Sequence, residues 1–372
     1  MIETHTYLMP DYFPEFRCKI AGCRHACCEG WPVSLSMENY YRLLGLDCRP
    51  ELRVRLDCGM QLADHPTKER YAQFSPRWDG NCPMRLEDGR CAIHAELGEA
   101  AQPDVCRLYP RGVRLLDGYE CSCANSCEGV LELFLHRDRP MTFIRRDLSF
   151  DMAVAETRTV SSEEVRSHML DDRLKLMEIL NDDGRPIPAA LCRIGWELYR
   201  MQGGTTGEFP DTPLPEPTAD ALAYGLKIAE DIVRILNDES NSVRAYGEES
   251  LRFFASGDPL DRYRAARAGF ESAFPSIERA FRHMLINHMF FTRFPYQIPG
   301  RMQDEFAALC VVYTLLRFLC IGTNVREEAA LIDVCAALFR LVEHTDFDRN
   351  AVRILKANGC TETERLLRLI IL

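Results

Sequence analysis

The sequence predicts a mainly α-helical protein: an irregular cysteine-rich metal-binding N-terminal module over residues 1–135, then a helical bundle over residues 136–372. Three observations predict it. Twelve of the 17 cysteines lie at or before position 127. Pro14, Gly30, Pro32, Gly80, Pro83, Gly89, Pro103 and Pro110 punctuate the same stretch and leave little room for long periodic elements. Beyond residue 135, apolar residues recur at helical spacing, with no strand-like alternation of useful length and no internal repeat.

Within the first part, short helices are expected at Met37–Leu44 and Ile93–Gly98. A hairpin through Val113–Tyr119 should turn at Asp117-Gly118. From Cys127 the period changes, and Val130, Leu131, Phe134 and Leu135 mark a helix leaving the module. Ser161 followed by Glu164 has the form of a capping box, ahead of Leu170, Leu174 and Met177 on one face. A helix covers Pro188–Met201, and Gly203–Pro217, with prolines at 210, 213, 215 and 217, reads as a linker or surface loop. Further helices are expected at 218–237, 241–255, 259–290, 303–321, 325–346, 348–358 and 361–371.

A formal net charge of −11 argues against a nucleic-acid-binding surface, which normally shows as a basic stripe. Met1–Pro10 has neither the basic nor the apolar region of a signal peptide. The longest apolar stretch, Phe306–Ile321, contains Arg317 and reads as a buried helix too short for a membrane span. A cytoplasmic location follows as the expectation, and there disulfides rarely persist. Seventeen cysteines therefore need another explanation. Cys192, Cys310, Cys320, Cys335 and Cys360 are scattered through apolar helical sequence and are expected to be small core residues.

The rest are spaced for a metal. Cys18, Cys23, Cys27 and Cys28 precede Gly30-Trp31, Cys82, Cys91 and Cys106 follow in short loops bounded by Gly and Pro, and Cys123 comes last. Close thiolates let several sulfurs converge on one soft ion. No pair has the C-x2-C spacing of a zinc knuckle, and Cys23-x3-Cys27-Cys28 differs from the radical SAM motif. The pattern favours a [4Fe-4S] cluster, with zinc the alternative. Adjacent residues in extended chain point oppositely, so Cys27 and Cys28 should play unequal parts. The Cys23–Cys28 segment is expected to converge with Cys82, Cys91 and Cys106. His25 and His94 sit among the thiols as possible ligands, or as surface and capping residues. Arg107 and Arg111 flank Tyr109 and could bind a carboxylate or form salt bridges. Trp31 and Tyr109 could wall a pocket or simply pack beneath the cluster. Phe290, Phe291 and Phe294 read as helix core.

The run Met9-Pro10-Asp11-Tyr12-Phe13 and the segment from Phe16-Arg17-Cys18 to Cys28-Glu29-Gly30-Trp31 resemble the opening of the flagellin lysine-N-methylases. Cys82, Gly89-Arg90-Cys91, Leu97-Gly98-Glu99, Cys106-Arg107-Leu108-Tyr109-Pro110-Arg111 and Ser122-Cys123 continue the likeness in order. Leu285–Phe291 with Arg293-Phe294-Pro295 is similar to the family's helical signature. Ala124-Asn125 stands where the family has Pro-Glu, and Cys48, Cys58, Cys121 and Cys127 match its cysteine pattern less clearly. The cysteine core also resembles a broader group of putative zinc- or iron-chelating proteins.

The resemblance implies an enzyme that uses S-adenosyl-L-methionine (SAM) to methylate surface lysines of flagellin or a flagellin-like protein. It also implies an oxygen-sensitive four-iron cluster, with Cys18, Cys23, Cys27, Cys28, Cys82, Cys91, Cys106 and Cys123 as its candidate ligands. No Gly-rich Rossmann loop is present, so neither the cofactor pocket nor a catalytic residue is located by sequence. The rival readings are a non-catalytic metal or electron-transfer module that docks a partner through the bundle, and a zinc-stabilised scaffold.

Overall fold

A computed structural model describes residues 3–372 apart from 25, 117, 151–154, 157–162, 205, 206, 210, 211, 237–240, 299, 361 and 362. The described chain is mainly helical, as expected, but it opens on a strand. β1 (Glu3–Pro10) lies in a sheet ordered β7-β1-β6-β5-β8, with β5 (Arg111–Leu115), β6 (Tyr119–Cys123), β7 (Phe143–Phe150) and β8 (Ala155–Glu156). β1 runs antiparallel to β7 from Glu3↔Phe150 to Pro10↔Phe143 and parallel to β6 at Tyr7↔Tyr119. β7 overturns the expectation that no strand follows residue 135. It pairs with β1 on one side only and is partly exposed on both faces, so no clean alternation marks it. β1 hides for the opposite reason: Tyr7, Leu8 and Met9 are buried in succession.

The predicted hairpin is present as β5 and β6, although Asp117 lies outside the described residues. Between β1 and β5 the chain builds a small unit. Its three-stranded sheet, β2 (Val33–Leu35), β4 (Ala72–Phe74) and β3 (Met60–Leu62), packs with α1 (Met37–Leu44), α2 (Pro50–Gly59), α3 (Ala92–Leu97) and α4 (Asp104–Leu108). α1 matches the sequence reading; Ser36 caps it by accepting the N–H of Asn39. α3 starts one residue early, while α2 and α4 went unread because each is short and weakly periodic. Leu43, Leu56, Phe74, Met84 and Ile93 form a separate small core here.

The large core joins the five-stranded sheet to the helices. Tyr12, Phe16 and Cys123 pack in one cluster with residues of α5 (Glu128–His136), α6 (Glu163–Asn181), α7 (Ile187–Met201), α8 (Ala219–Arg234) and α9 (Asn241–Phe254). The helix start expected from Ser161 lies outside the described residues, as do Pro210 and its neighbours in the proline-rich segment. The single helix expected over 259–290 is two, α10 (Pro259–Ala273) and α11 (Ile277–Thr292). Pro275 explains the break: it lacks an N–H and drives Phe274 out of helical conformation, to φ −130° and ψ 77°.

α12 (Met302–Gly322), α13 (Glu328–His344), α14 (Phe347–Ala357) and α15 (Thr363–Ile370) complete the bundle. α12 is long and apolar enough to cross a membrane, contrary to the length argument from sequence, but it is buried within the bundle. A helix apolar all round is what a bundle centre requires. Arg317 on it donates Nε to the carbonyl of Leu372. Of the five scattered cysteines, Cys310, Cys320, Cys335 and Cys360 are buried and Cys192 is partly buried, all packed in this core as expected.

Glu305 on α12 is buried and accepts the backbone N–H groups of Gln297 and Ile298. Burial raises its pKa from 4.5 to about 7. The folded chain therefore holds a proton that the unfolded chain releases between those values. The associated stability is full below 4.5 and is lost as pH rises through about 7. The melting temperature of Glu305→Gln relative to wild type should therefore rise between pH 5 and pH 8, corresponding to roughly 3 kcal/mol of linkage. A constant or falling difference would contradict this placement.

Candidate metal centre

The thiol-bearing loop Cys18–Trp31 is held between two helices of the bundle. Phe16 is buried in the large core. Lys19 Nζ pairs with Glu132 at 2.6 Å and Glu128 at 3.5 Å, both on α5. The Arg24 guanidinium meets Asp333 on α13 at 2.9 Å. Arg340, also on α13, donates to the Ala26 carbonyl and lies 5.0 Å from the Trp31 ring centroid.

From the other side, backbone bonds bring the small unit's cysteines to the end of this loop. The N–H of Cys82 donates to the carbonyl of Cys28 at 2.8 Å, and Arg85 pairs in register with Cys91. Gly89 makes the intervening turn at φ +83°, where a Cβ would also stand 3.2 Å from the Ala21 carbonyl oxygen.

The eight candidate thiols fall into neighbourhoods. Cys28, Cys82, Cys91 and Cys106 all pack at the small core, and Cys106 feels the other three electrostatically. Cys23 instead neighbours Cys18, and both neighbour Cys127. Cys27 hydrogen-bonds the Cys28 thiol and also faces Cys106 and Cys18. Cys123 is fully buried in β6, where Tyr12 Oη accepts its N–H at 3.0 Å. Sequence spacing marked Cys127 less clearly than the others. Its position follows from tertiary packing, since Lys19 ties the Cys18 loop to the start of α5.

Several sulfurs are already oriented by N–H donors. Cys18 Sγ accepts the N–H of Ile20 at 3.3 Å, Cys82 Sγ that of Met84, and Cys127 Sγ those of Gly129 and Val130 at the start of α5. Burial pushes the Cys82 and Cys127 thiols up to about 12 and Cys23 to about 11. Hydrogen bonding from Cys27, with Arg85 nearby, lowers Cys28 to about 7. Among the described residues no three His, Cys, Asp or Glu side chains already converge on a point that could hold a metal ion. Thiols are the donor type that soft metals take.

The remaining candidates divide cleanly. His94 lies on α3, one turn beyond Cys91, and His25 is outside the described residues. Arg107 meets Asp104 at 3.5 Å, whereas Arg111 lies over the Phe16 ring. Trp31, Tyr109 and His344 form a ring cluster, with 5.2 Å between the Trp31 and His344 centroids. Phe290 and Phe294 are core, as expected, and Phe291 covers Gly112, where a Cβ would stand 2.9 Å from its ring.

Behind the thiols runs a polar seam, buried except at its His344 end, that the sequence reading missed. Asn287 on α11 accepts from Tyr12 Oη at 2.6 Å, and its amide donates to the Cys123 carbonyl at 2.7 Å and to Asn125 Oδ1 at 2.6 Å. His288 meets buried Glu343 at 3.3 Å, and Ser126 Oγ meets His344 at 2.8 Å. Burial raises Glu343 from its ordinary value, against the pull of His288. The available signal was Asn287-His288 inside an apolar helix, since buried polar side chains require partners.

Fold and thiols together define a mainly helical protein fronted by a cysteine-rich unit, with a polar seam locking the two. The sequence profile of the FliB lysine N-methylase C-terminal domain matches residues 175–369, more than half of the chain. The chain belongs to the FliB lysine N-methylase family. It is similar to the lysine-N-methylase of Salmonella typhimurium strain LT2, at 26% identity over 106 residues, covering 28% of this chain and 26% of that protein. The lysine-N-methylase of Salmonella choleraesuis strain SC-B67 matches with the same figures. The flagellar biosynthetic protein FliU of Salmonella muenchen, again 26% identical over 106 residues, is covered over 62% of its length. The alignment thus spans about a quarter of the two lysine-N-methylases. No solved structure matches the chain.

Proposed function

We propose that this chain is a cytoplasmic SAM-dependent protein-lysine N-methyltransferase acting on flagellin or a flagellin-like protein, with an iron–sulfur cluster held by its N-terminal thiols. The family match over residues 175–369 carries the reading. Methyl transfer forms an N–C bond as the sulfonium S–C bond breaks, and it needs a neutral amine aligned with the methyl group. SAM supplies the electrophilic methyl.

A cleft of about 420 Å³ in the matched region has the size and chemistry for such a ligand. Arg267 and Arg317 offer cations for a carboxylate, Glu271 and Glu278 offer acceptors for hydroxyl or ammonium groups, and Tyr313 and Phe281 offer aromatic walls. The arginines are already oriented: Arg267 by Glu271 at 2.8 Å, and Arg317 by the Leu372 carbonyl. The acidic pair also favours approach of a cationic lysine to the cleft mouth. The thiols would hold such a cluster, which would staple a unit whose own core is small.

Protein prepared without oxygen and incubated with methyl-labelled SAM should transfer label to purified flagellin. Flagellin with its surface lysines replaced by arginine should stay unlabelled. Absence of transfer by metal-replete protein that binds SAM would exclude this activity.

A further inference from the structure

Of the 45 Lys and Arg residues in the chain only five are Lys, at positions 19, 68, 175, 227 and 356. On the methyltransferase reading, these are the amines of its own surface that the enzyme meets. Three are tied to carboxylates: Lys19 Nζ to Glu132 at 2.6 Å, Lys175 Nζ to Glu197 at 3.0 Å and Lys356 Nζ to Asp304 at 2.8 Å. A carboxylate at that distance favours the ammonium form, which has no lone pair to attack a methyl group. Lys68 and Lys227 are exposed, and among the described residues neither ammonium has a carboxylate partner.

The two differ in presentation. Lys227 stands in the middle of α8, with helix on either side. Lys68 stands in the loop that joins β3 to β4, where residues 64–70 are all exposed. That loop is nonetheless fixed. The Arg70 N–H donates to Thr67 Oγ1 and the Thr67 N–H to the Arg70 carbonyl, both at 3.1 Å. The Lys68 carbonyl accepts the N–H of Met37, the first residue of α1, at 2.8 Å. A projecting amine on an ordered backbone loses little freedom when it enters another molecule's site. Exposed loop tips are also where proteases most readily engage a folded chain, for the same reason of access.

We infer that the chain methylates itself at Lys68, one copy acting on another. The inference rests on the methyltransferase reading above and adds a second substrate to it. The cleft proposed for SAM is walled by α7, α10, α11 and α12, whereas the β3–β4 loop packs within the small unit. The amine therefore comes from a second copy. Lys68 first gives its ammonium proton to water. Its Nζ lone pair then attacks the SAM methyl, and the N–C bond forms as the S–C bond breaks. The S–C electron pair stays on sulfur, leaving a methylated ammonium and S-adenosylhomocysteine.

The test uses full-length protein prepared without oxygen and incubated with methyl-labelled SAM, alone and with purified flagellin, followed by peptide mass spectrometry. Label should appear on Lys68 and not on Lys19, Lys175, Lys227 or Lys356. The fraction of chains labelled per unit time should rise with protein concentration. Lys68→Arg should lose the self-label, keep the wild-type melting temperature and label flagellin as wild type does. Lys227→Arg should keep the self-label. Label on flagellin with none on Lys68 overturns self-methylation and leaves the methyltransferase reading standing. Label spread equally over the five lysines overturns the assignment to Lys68, and a rate independent of concentration overturns transfer between copies. No label on either protein overturns both readings.

Discussion

Glu120→Ala is expected to destabilise the fold by about 3–5 kcal/mol, because it strands two buried guanidinium groups. Glu120 lies in β6 and accepts from Arg173 on α6 at 2.6 and 3.1 Å and from Arg114 on β5 at 3.0 Å. Arg173 has a fully buried side chain, and both arginines reach on to the Phe290 carbonyl at the end of α11. The single carboxylate therefore holds sheet, α6 and α11 in one network. Burial pushes the Glu120 pKa upward, but Arg173 and Arg114 together hold it below its ordinary value. Its stabilisation is thus present above the unfolded pKa and is lost as pH falls through the depressed folded value. Denaturant titration should show the loss at neutral pH and a smaller one in acid. A loss below about 1 kcal/mol at neutral pH would mean that the arginines find other counter-charges.

Asn287→Ala should cost roughly 3 kcal/mol by a different route. The asparagine makes three short hydrogen bonds, to Tyr12, Cys123 and Asn125, all in the interior. Removing it leaves a phenol, a backbone carbonyl and an amide oxygen to seek partners, at about 1–3 kcal/mol for each that finds none. Asn287→Asp is no rescue, since its carboxylate would face two acceptors where the amide donates. Arg349→Ala on the exposed face of α14 should change stability by less than about 0.5 kcal/mol. Equilibrium unfolding of the three variants checks the contrast; near-equal losses for Asn287→Ala and Arg349→Ala would show that the seam carries little stability.

What could be read from sequence was whatever leaves a periodic or compositional trace. α7, α8, α9 and α14 show one apolar face each, and their bounds came within a few residues of those observed. α12 announced itself as an apolar run, though its length would equally have suited a membrane span. β1 and β7 left no readable alternation because residues 7–10 of one are buried in succession and the other is partly exposed throughout. The density of thiols was plain, but their grouping was not. Cys23 lies five residues from Cys28 and yet keeps company with Cys127, because Lys19 and Arg24 tie its loop to α5 and α13. Spacing along the chain carries no record of such contacts.

The register of β1 also sets an order of assembly during synthesis. Its residues leave the ribosome well before its partners in β6 and β7, which lie more than a hundred residues later. Long loop closure makes such pairing slow and late. The small unit, whose strands and helices all fall between Val33 and Leu108, has its partners close in sequence and can consolidate while β1 is still unpaired. Closing β1 between β6 and β7 therefore waits until Phe150 has emerged, and the thiol-bearing loop stays unanchored longer still, until Asp333 and Arg340 on α13 follow.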